Sequence, residues 1–145
     1  MGMGTAVREW PQRLPYFDAL RLLLDADFLL ILGSADYEYV PSKLFQYLLA
    51  RRPLVAILHQ KSPVLDLVRR SGAAVVATFS GPDDVEGAAM RLSGPLADLV
   101  RRTPVEPETD WSVVAPFGAS DLTRQQCALF DSVLRARGLE DSPCQ

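Results

Sequence analysis

The sequence predicts an open α/β fold of three layers, with helices on both faces of a parallel sheet and a further helix at the C-terminal end. Three short runs are apolar at every position, and segments of helix length separate them. Strands without a polar face are typical of parallel sheets that helices cover on both sides. The order strand, helix, strand, helix, strand indicates such a sheet, with right-handed crossovers.

The first element is a helix over residues 14–26. Phe17, Leu20 and Leu24 recur there at three- and four-residue spacing, and Pro15 suits a first helical turn. Strands are predicted at residues 27–32, 53–58 and 73–79. The helices between them are predicted at residues 41–52 and 62–72.

A further helix is predicted over residues 83–102, with a break at Gly94-Pro95. The last helix presents an apolar side made of Leu122, Leu129, Phe130, Val133 and Leu134. These elements divide the chain into an N-terminal extension (1–13), a partial α/β domain (14–102), an irregular linker (103–118), a C-terminal helix (119–138) and a tail (139–145).

Composition narrows the class of function. A chain of 145 residues has the length of one domain, and its net charge of −3 argues against a nucleic-acid binder that works by bulk charge. The start of the chain lacks the apolar core of a signal peptide, and its apolar runs are too short for a membrane span. One histidine and two cysteines without ligand spacing predict no metal site. We expect a cytoplasmic protein.

Lys43 stands where a lysine is electrostatically unfavourable. With Pro41 as the first helical residue, Ser42 and Lys43 fall in the first turn, at the positive end of the helix dipole. An anion such as a phosphate would explain the lysine, because the unpaired amides, the hydroxyl and the ammonium would all bind it. Gln46 shares this face one turn further on. A solvated lysine and glutamine are the alternative interpretation.

His59 ends the second predicted strand, at the rim of the sheet where open α/β folds bind ligands. It either caps the strand or donates a hydrogen bond to a phosphate or sugar oxygen.

One segment resembles a known family. The run VPSKLFQYLLARRPLVAIL (40–58) resembles the donor-binding C-terminal half of GT-B glycosyltransferases, in the family-4-like subgroup with the line PSKLFEYLAAGKPVLA. The flanking LRLLLDADFLLILGS and SPVLDLVRRSGAAVV are similar to the neighbouring segments of that family, so the resemblance covers residues 14–92. ASDLTRQQCALFDSVL is similar to its closing helix. The resemblance implies a partial Rossmann-like domain.

The resemblance also implies an activity and its residues. Members of the family move a sugar from a nucleoside-diphosphate sugar to an acceptor hydroxyl, usually with retention, and no metal is implied. Glu38 matches the first of two acids that flank the donor and is the implied catalytic residue. Gln46 replaces the second acid, so the ribose would be held by uncharged hydrogen bonds. The other implied nucleotide-sugar-binding residues are Tyr39, Val40, Ser42, Lys43 and His59.

The match covers the back part of a donor domain, so we expect a truncated chain that binds a nucleotide weakly and transfers no sugar alone. Three apolar strands leave open sheet edges, which predicts an acceptor lobe, a partner chain or a homo-oligomer on the exposed edge. Any membrane association would be peripheral and through that partner. A non-catalytic nucleotide- or phosphate-binding module and an interaction remnant remain the alternative functions.

Overall fold

The computed structural model describes residues 6–101 and 106–138, and over these residues the chain is an α/β structure. Its strands are β1 (Leu29–Leu32), β2 (Leu54–His59) and β3 (Ala74–Phe79). Its helices are α1 (Tyr16–Asp25), α2 (Leu44–Leu49), α3 (Leu65–Ser71), α4 (Val85–Arg101), α5 (Trp111–Val114) and α6 (Ala119–Ala136), with short 3₁₀ turns at Pro82–Asp84 and Ala115–Phe117.

The three strands form one parallel sheet in the order β1–β2–β3. Leu29 is paired with Leu54, and Leu54 with Ala74, so the strands start level with one another. The prediction of an α/β fold with a parallel sheet is confirmed. Each strand begins one or two residues later than its apolar run predicted, at the point where pairing with its neighbour starts.

The central strand β2 is the most deeply buried element. Leu54, Val55, Ala56 and Leu58 are each at most 1% exposed. Because side chains alternate along a strand, they divide between two core clusters. Leu54, Ala56 and Leu58 pack with residues of α2, α3 and α5, whereas Val55 packs with residues of β3 and α4.

The edge strand β1 is covered on one face only. Leu29 and Ile31 are buried in the cluster that contains α2 and α3, whereas Leu30 and Leu32 are 47% and 61% exposed. Leu30 is paired with Val55, so the bare face of β1 (Leu30 and Leu32) lies on the side of the sheet where α4 packs on β3. The prediction that every strand is buried on both faces is therefore wrong for β1, and an exposed apolar flank is present.

The helix predicted from Pro41 begins three residues later. The N–H of Leu44 donates to the carbonyl of Pro41 at 3.0 Å, so residues 41–43 form a tight turn ahead of α2. The helix ends early because Arg51 adopts a left-handed conformation with a φ of 53°.

The break predicted at Gly94-Pro95 is absent, and α4 continues through Pro95. Pro95 lies on the exposed side of the helix, where the carbonyl left without an N–H partner can bond to water. On the other side, Leu92, Leu96 and Leu99 hold the helix against the core.

The segment predicted as an irregular linker, 103–118, is partly helical and belongs to the core. Val114 of α5 is buried in the cluster that contains α2 and α3. The ring of Phe117 lies 5.3 Å from the ring of Phe45 on α2, which fixes the turn that leads into α6. Part of this segment, and the predicted tail at 139–145, lie outside the described residues.

Helix α6 follows its predicted bounds within two residues and has no buried side chain. Its charged residues lie on one side, where Arg124 pairs with Asp121. The opposite side is an apolar stripe, which we call the α6 stripe; its members are between 46% and 60% exposed and are Leu122, Leu129, Phe130, Val133 and Leu134. Such a stripe is typical of a helix that packs against another surface.

A carboxylate joins the start of α4 to the end of β3. Asp84 Oδ2 accepts a hydrogen bond from the N–H of Ser80 at 3.0 Å and lies 2.9 Å from Arg91 Nη2. The same Arg91 nitrogen donates to the carbonyl of Thr78 at 2.8 Å. The hydrogen bond from Arg91 is the main reason that the pKa of Asp84 is lowered from its ordinary value of 3.8.

A lowered carboxyl pKa stabilises the fold above the ordinary pKa, and this contribution is lost as the pH falls through the folded-state value. We therefore expect Asp84→Asn to lower the Tm at neutral pH and to approach the wild type below a pH of about 4. Circular dichroism melts at several pH values would measure the difference. Asp83→Asn, on the exposed neighbour, is the control, and a difference that does not change with pH would contradict the assignment.

Candidate functional site

The loop after β1 leaves the sheet at Gly33. Its N–H donates to the carbonyl of Ile57 at 2.7 Å, and a Cβ at this position would lie 2.9 Å from the same oxygen, so a side chain does not fit. Ser34 Oγ then accepts from the N–H of Asp36 at 3.1 Å, and Asp36 Oδ1 accepts from the N–H of Glu38 at 3.0 Å. These local bonds form turns that leave Glu38 exposed.

The sequence predicted Lys43 in the first turn of the helix. In the structure Lys43 is instead the last residue before α2. Its backbone is already close to helical, and its carbonyl accepts from the N–H of Tyr47 at 3.0 Å. Because α2 has only six residues, its dipole is weaker than that of the longer helix predicted. The ammonium group, more than the helix terminus, therefore supplies the positive charge here.

Helices α1 and α2 contribute two walls of a cleft of about 800 Å³. Helix α2 follows the carboxyl end of β1, so Lys43 lies toward that rim of the sheet. None of the described residues that line the cleft belongs to a strand. Lys43, Gln46 and Tyr47 line the α2 side. The third wall is the end of the predicted N-terminal extension, with Trp10 and Arg13. We call this space the rim cleft.

The rim cleft is positively charged in a chain of net charge −3. Among the described residues, the only charged side chains that line it are those of Arg13 and Lys43. Neither forms an ion pair with a described carboxylate. The rest of the lining is mostly apolar, and Trp10, Tyr16 and Tyr47 are its aromatic members. An apolar lining with a few polar groups is typical of small-molecule sites.

His59 is a buried structural residue, at 7% exposure. Its Nδ1 accepts a hydrogen bond from the N–H of Lys61 at 3.1 Å, so the ring proton is on Nε2, which donates to the carbonyl of Ser80 at 3.1 Å. The ring also lies between those of Phe79 and Tyr37, at 5.5 and 6.1 Å. Both ring nitrogens bond to backbone, so His59 caps the strand ends and has no free nitrogen for a ligand.

Two of the seven candidate site residues, Lys43 and Gln46, line the rim cleft. The others do not; the exposed ones lie on the loop that leads to α2 and are Glu38, Tyr39, Val40 and Ser42. Trp10 and Arg13 were not predicted as site residues, because the segment before residue 14 has no helical or strand periodicity. The prolines at 11 and 15, which restrict the backbone, are the one local sign of order there.

A second depression, of about 590 Å³, lies at the amino ends of the strands. Its charged lining consists of acids, namely Asp27, Glu106 and Glu108. These carboxylates repel a phosphate, so the rim cleft is the better candidate for an anionic ligand.

In the described part of the chain, no three His, Cys, Asp or Glu residues are grouped as a metal site would require. No helix of residues 6–101 or 106–138 has both the length and the apolar character to cross a membrane. Comparisons with protein-family models, curated proteins and solved structures gave no match. The argument for function therefore depends on the site itself.

We expect His59→Ala to lower the free energy of unfolding by about 2–4 kcal/mol, because it leaves a cavity and two backbone groups without partners. Gln60→Ala, on the exposed next residue, is the matched control, with an expected change of less than about 0.5 kcal/mol. Urea unfolding of both variants measures the difference. Equal stability of the two variants would contradict the capping role.

Proposed function

We propose that the chain is the donor-binding portion of a glycosyltransferase, which holds a nucleoside-diphosphate sugar while the sugar moves to an acceptor hydroxyl. One observation carries the proposal. Lys43 and Gln46, which the resemblance to the GT-B family assigns to the donor, line the same cleft of about 800 Å³. Lys43 stands where the chain enters the helix that follows β1, and the segments after the carboxyl ends of parallel strands are where open α/β folds bind ligands.

The chemistry of each residue supports a role in donor binding. Lys43 provides the positive charge for the diphosphate, and the exposed hydroxyl of Ser42 adds a hydrogen-bond donor beside it. Gln46 stands one turn further on, about 4.5 Å along the helix axis. Its amide can both accept from and donate to ribose hydroxyls, although more weakly than a carboxylate accepts.

Glu38 carries the proposed catalytic role, with Tyr39 and Val40 beside the transferred sugar. During transfer the bond from the anomeric carbon to the diphosphate oxygen breaks, the acceptor oxygen bonds to that carbon, and the acceptor's proton passes to the departing diphosphate. The resemblance favours retention of configuration. A carboxylate near the anomeric carbon stabilises the positive charge that develops there. His59 is not included, because backbone groups already use both of its ring nitrogens.

We also propose that the sheet is part of a larger, Rossmann-like sheet in three layers. Opposite sides of β2 belong to different core clusters, which supports helices on both faces. The bare face of β1 supports a continuation beyond this strand, since open edges and uncovered apolar faces pair with other segments.

An acceptor lobe is the proposed partner. It would cover the bare face of β1 and the α6 stripe, whose apolar side chains are between 46% and 61% exposed, because exposed apolar patches often mark interaction sites. Glycosyl transfer needs both substrates oriented in a site from which water is excluded. A single lobe cannot enclose its ligand, so we propose that the isolated chain binds a donor but transfers no sugar.

A non-catalytic nucleotide-binding module is the second candidate. The lining of the rim cleft favours it, because the described residues around the cleft include two cations and no carboxylate. Such a module would bind a nucleotide in the same cleft, and Glu38 would have no catalytic role.

We expect Lys43→Ala to weaken binding of UDP or GDP by about tenfold, since it removes one charge-assisted contact. Lys61→Ala, which changes a rim lysine outside the cleft, should leave the Kd unchanged, and so should Glu38→Ala. Calorimetric titration of the whole chain measures all three. Failure of the unmodified chain to bind either nucleotide would contradict the proposed donor site. Sugar transfer by the isolated chain would contradict the need for a second lobe.

We expect the double variant Leu129→Glu, Val133→Glu to bind less of an apolar dye such as ANS, at an unchanged Tm, because both side chains are exposed. Gln125→Glu with Ser132→Glu adds the same charge to the other side of α6 and should bind as much dye as the wild type. Light scattering gives the mass in parallel. A wild-type dimer that the first variant dissociates would identify a second copy, and not an acceptor lobe, as the partner.

A further inference from the structure

One wall of the rim cleft is built by the stretch from Trp10 to Pro15, which the sequence resemblance does not assign to the donor. This stretch adds the second of the two cations in the cleft, Arg13. The two charges therefore come from different segments, one just before α1 and one just before α2.

Arg13 and Lys43 line the same cleft, and its described lining contains no carboxylate. An anion with more than one charged group can interact favourably with both cations. A guanidinium binds phosphate oxygens through two parallel hydrogen bonds, and an ammonium acts as a compact charge beside it. A diphosphate that spans Arg13 and Lys43 has the charge and the number of oxygens to satisfy both.

The aromatic side chains indicate what the diphosphate is attached to. Trp10 is 46% exposed, and the guanidinium of Arg8 lies 4.7 Å from the centre of its ring. This cation–π contact occupies one face of the indole and orients it, while Trp10 still lines the cleft. An exposed aromatic ring is a stacking platform for a nucleobase.

We propose that Arg13 is the second cation for the diphosphate of a nucleoside diphosphate, together with Lys43, and that Trp10 stacks on its base. The inference rests on the proposed donor site and extends it to a wall that the PSKLFQYL segment does not contain. A cleft of about 800 Å³ lies in the range of small-molecule sites, and it is far larger than a phosphate ion alone would fill.

The experiment is a titration of the full chain with UDP, GDP and pyrophosphate. Arg13→Gln should weaken all three ligands by about tenfold, because it removes a charge-assisted contact to phosphate. Trp10→Ala should weaken the two nucleotides on the order of tenfold and leave pyrophosphate unchanged, because only the nucleotides have a base to stack. Arg21→Gln, on an exposed position of α1 outside the cleft, should leave the affinities for all three ligands unchanged.

The outcomes separate this inference from the proposed function. If Lys43→Ala weakens nucleotide binding but Arg13→Gln does not, the inference about Arg13 is wrong and the donor site stands. If Trp10→Ala weakens the binding of pyrophosphate and of the nucleotides by the same factor, the stacking role is wrong. If the unmodified chain binds none of the ligands at millimolar concentration, both proposals fail. Circular dichroism of each variant verifies the fold, and Arg13→Lys, which keeps the charge, should restore part of the affinity.

Discussion

The burial of β2 on both faces is the constraint on which the structure depends. Because its side chains alternate between two core clusters, residues of α2, α3 and α5 pack on one side of this strand and residues of α4 pack on the other. Helices α1 and α2, which precede and follow β1 in the chain, line the rim cleft together with the segment before α1. One wall of the cleft is therefore a helix that packs on the most deeply buried strand.

The parts of the fold that local sequence encodes could be predicted. Each apolar run became a strand with a small shift, and α6 appeared where its periodicity placed it. The start of α2 was predicted three residues too early, because the conformation of Pro41 is compatible with both a helix and a turn. The rim cleft could not be predicted as a whole, since it depends on the placement of Trp10 and Arg13 relative to α2 residues thirty or more positions away in the chain.

Binding and chemistry are assigned to different kinds of structure in this chain. Lys43 and Gln46 are held by a helix that is anchored through buried Leu44 and Leu48, which suits a site that must keep its shape. Glu38 is on an exposed loop that short-range hydrogen bonds shape. A loop of this kind can be completed by contact with a second lobe, whereas the cation pair needs no such completion. Donor recognition and transfer are thus separable steps in the proposed mechanism.

The two exposed features of the molecule differ in their response to ions. The α6 stripe carries no charge, and Arg124 is already paired with Asp121 on the far side of the helix. Dissolved salt therefore leaves its attraction for an apolar surface intact or strengthens it. The rim cleft depends on exposed cations, whose reach shortens to about 8 Å at physiological ionic strength. If the proposals hold, a rise in ionic strength would release the nucleotide from the rim cleft, while a protein docked on the α6 stripe would stay in place.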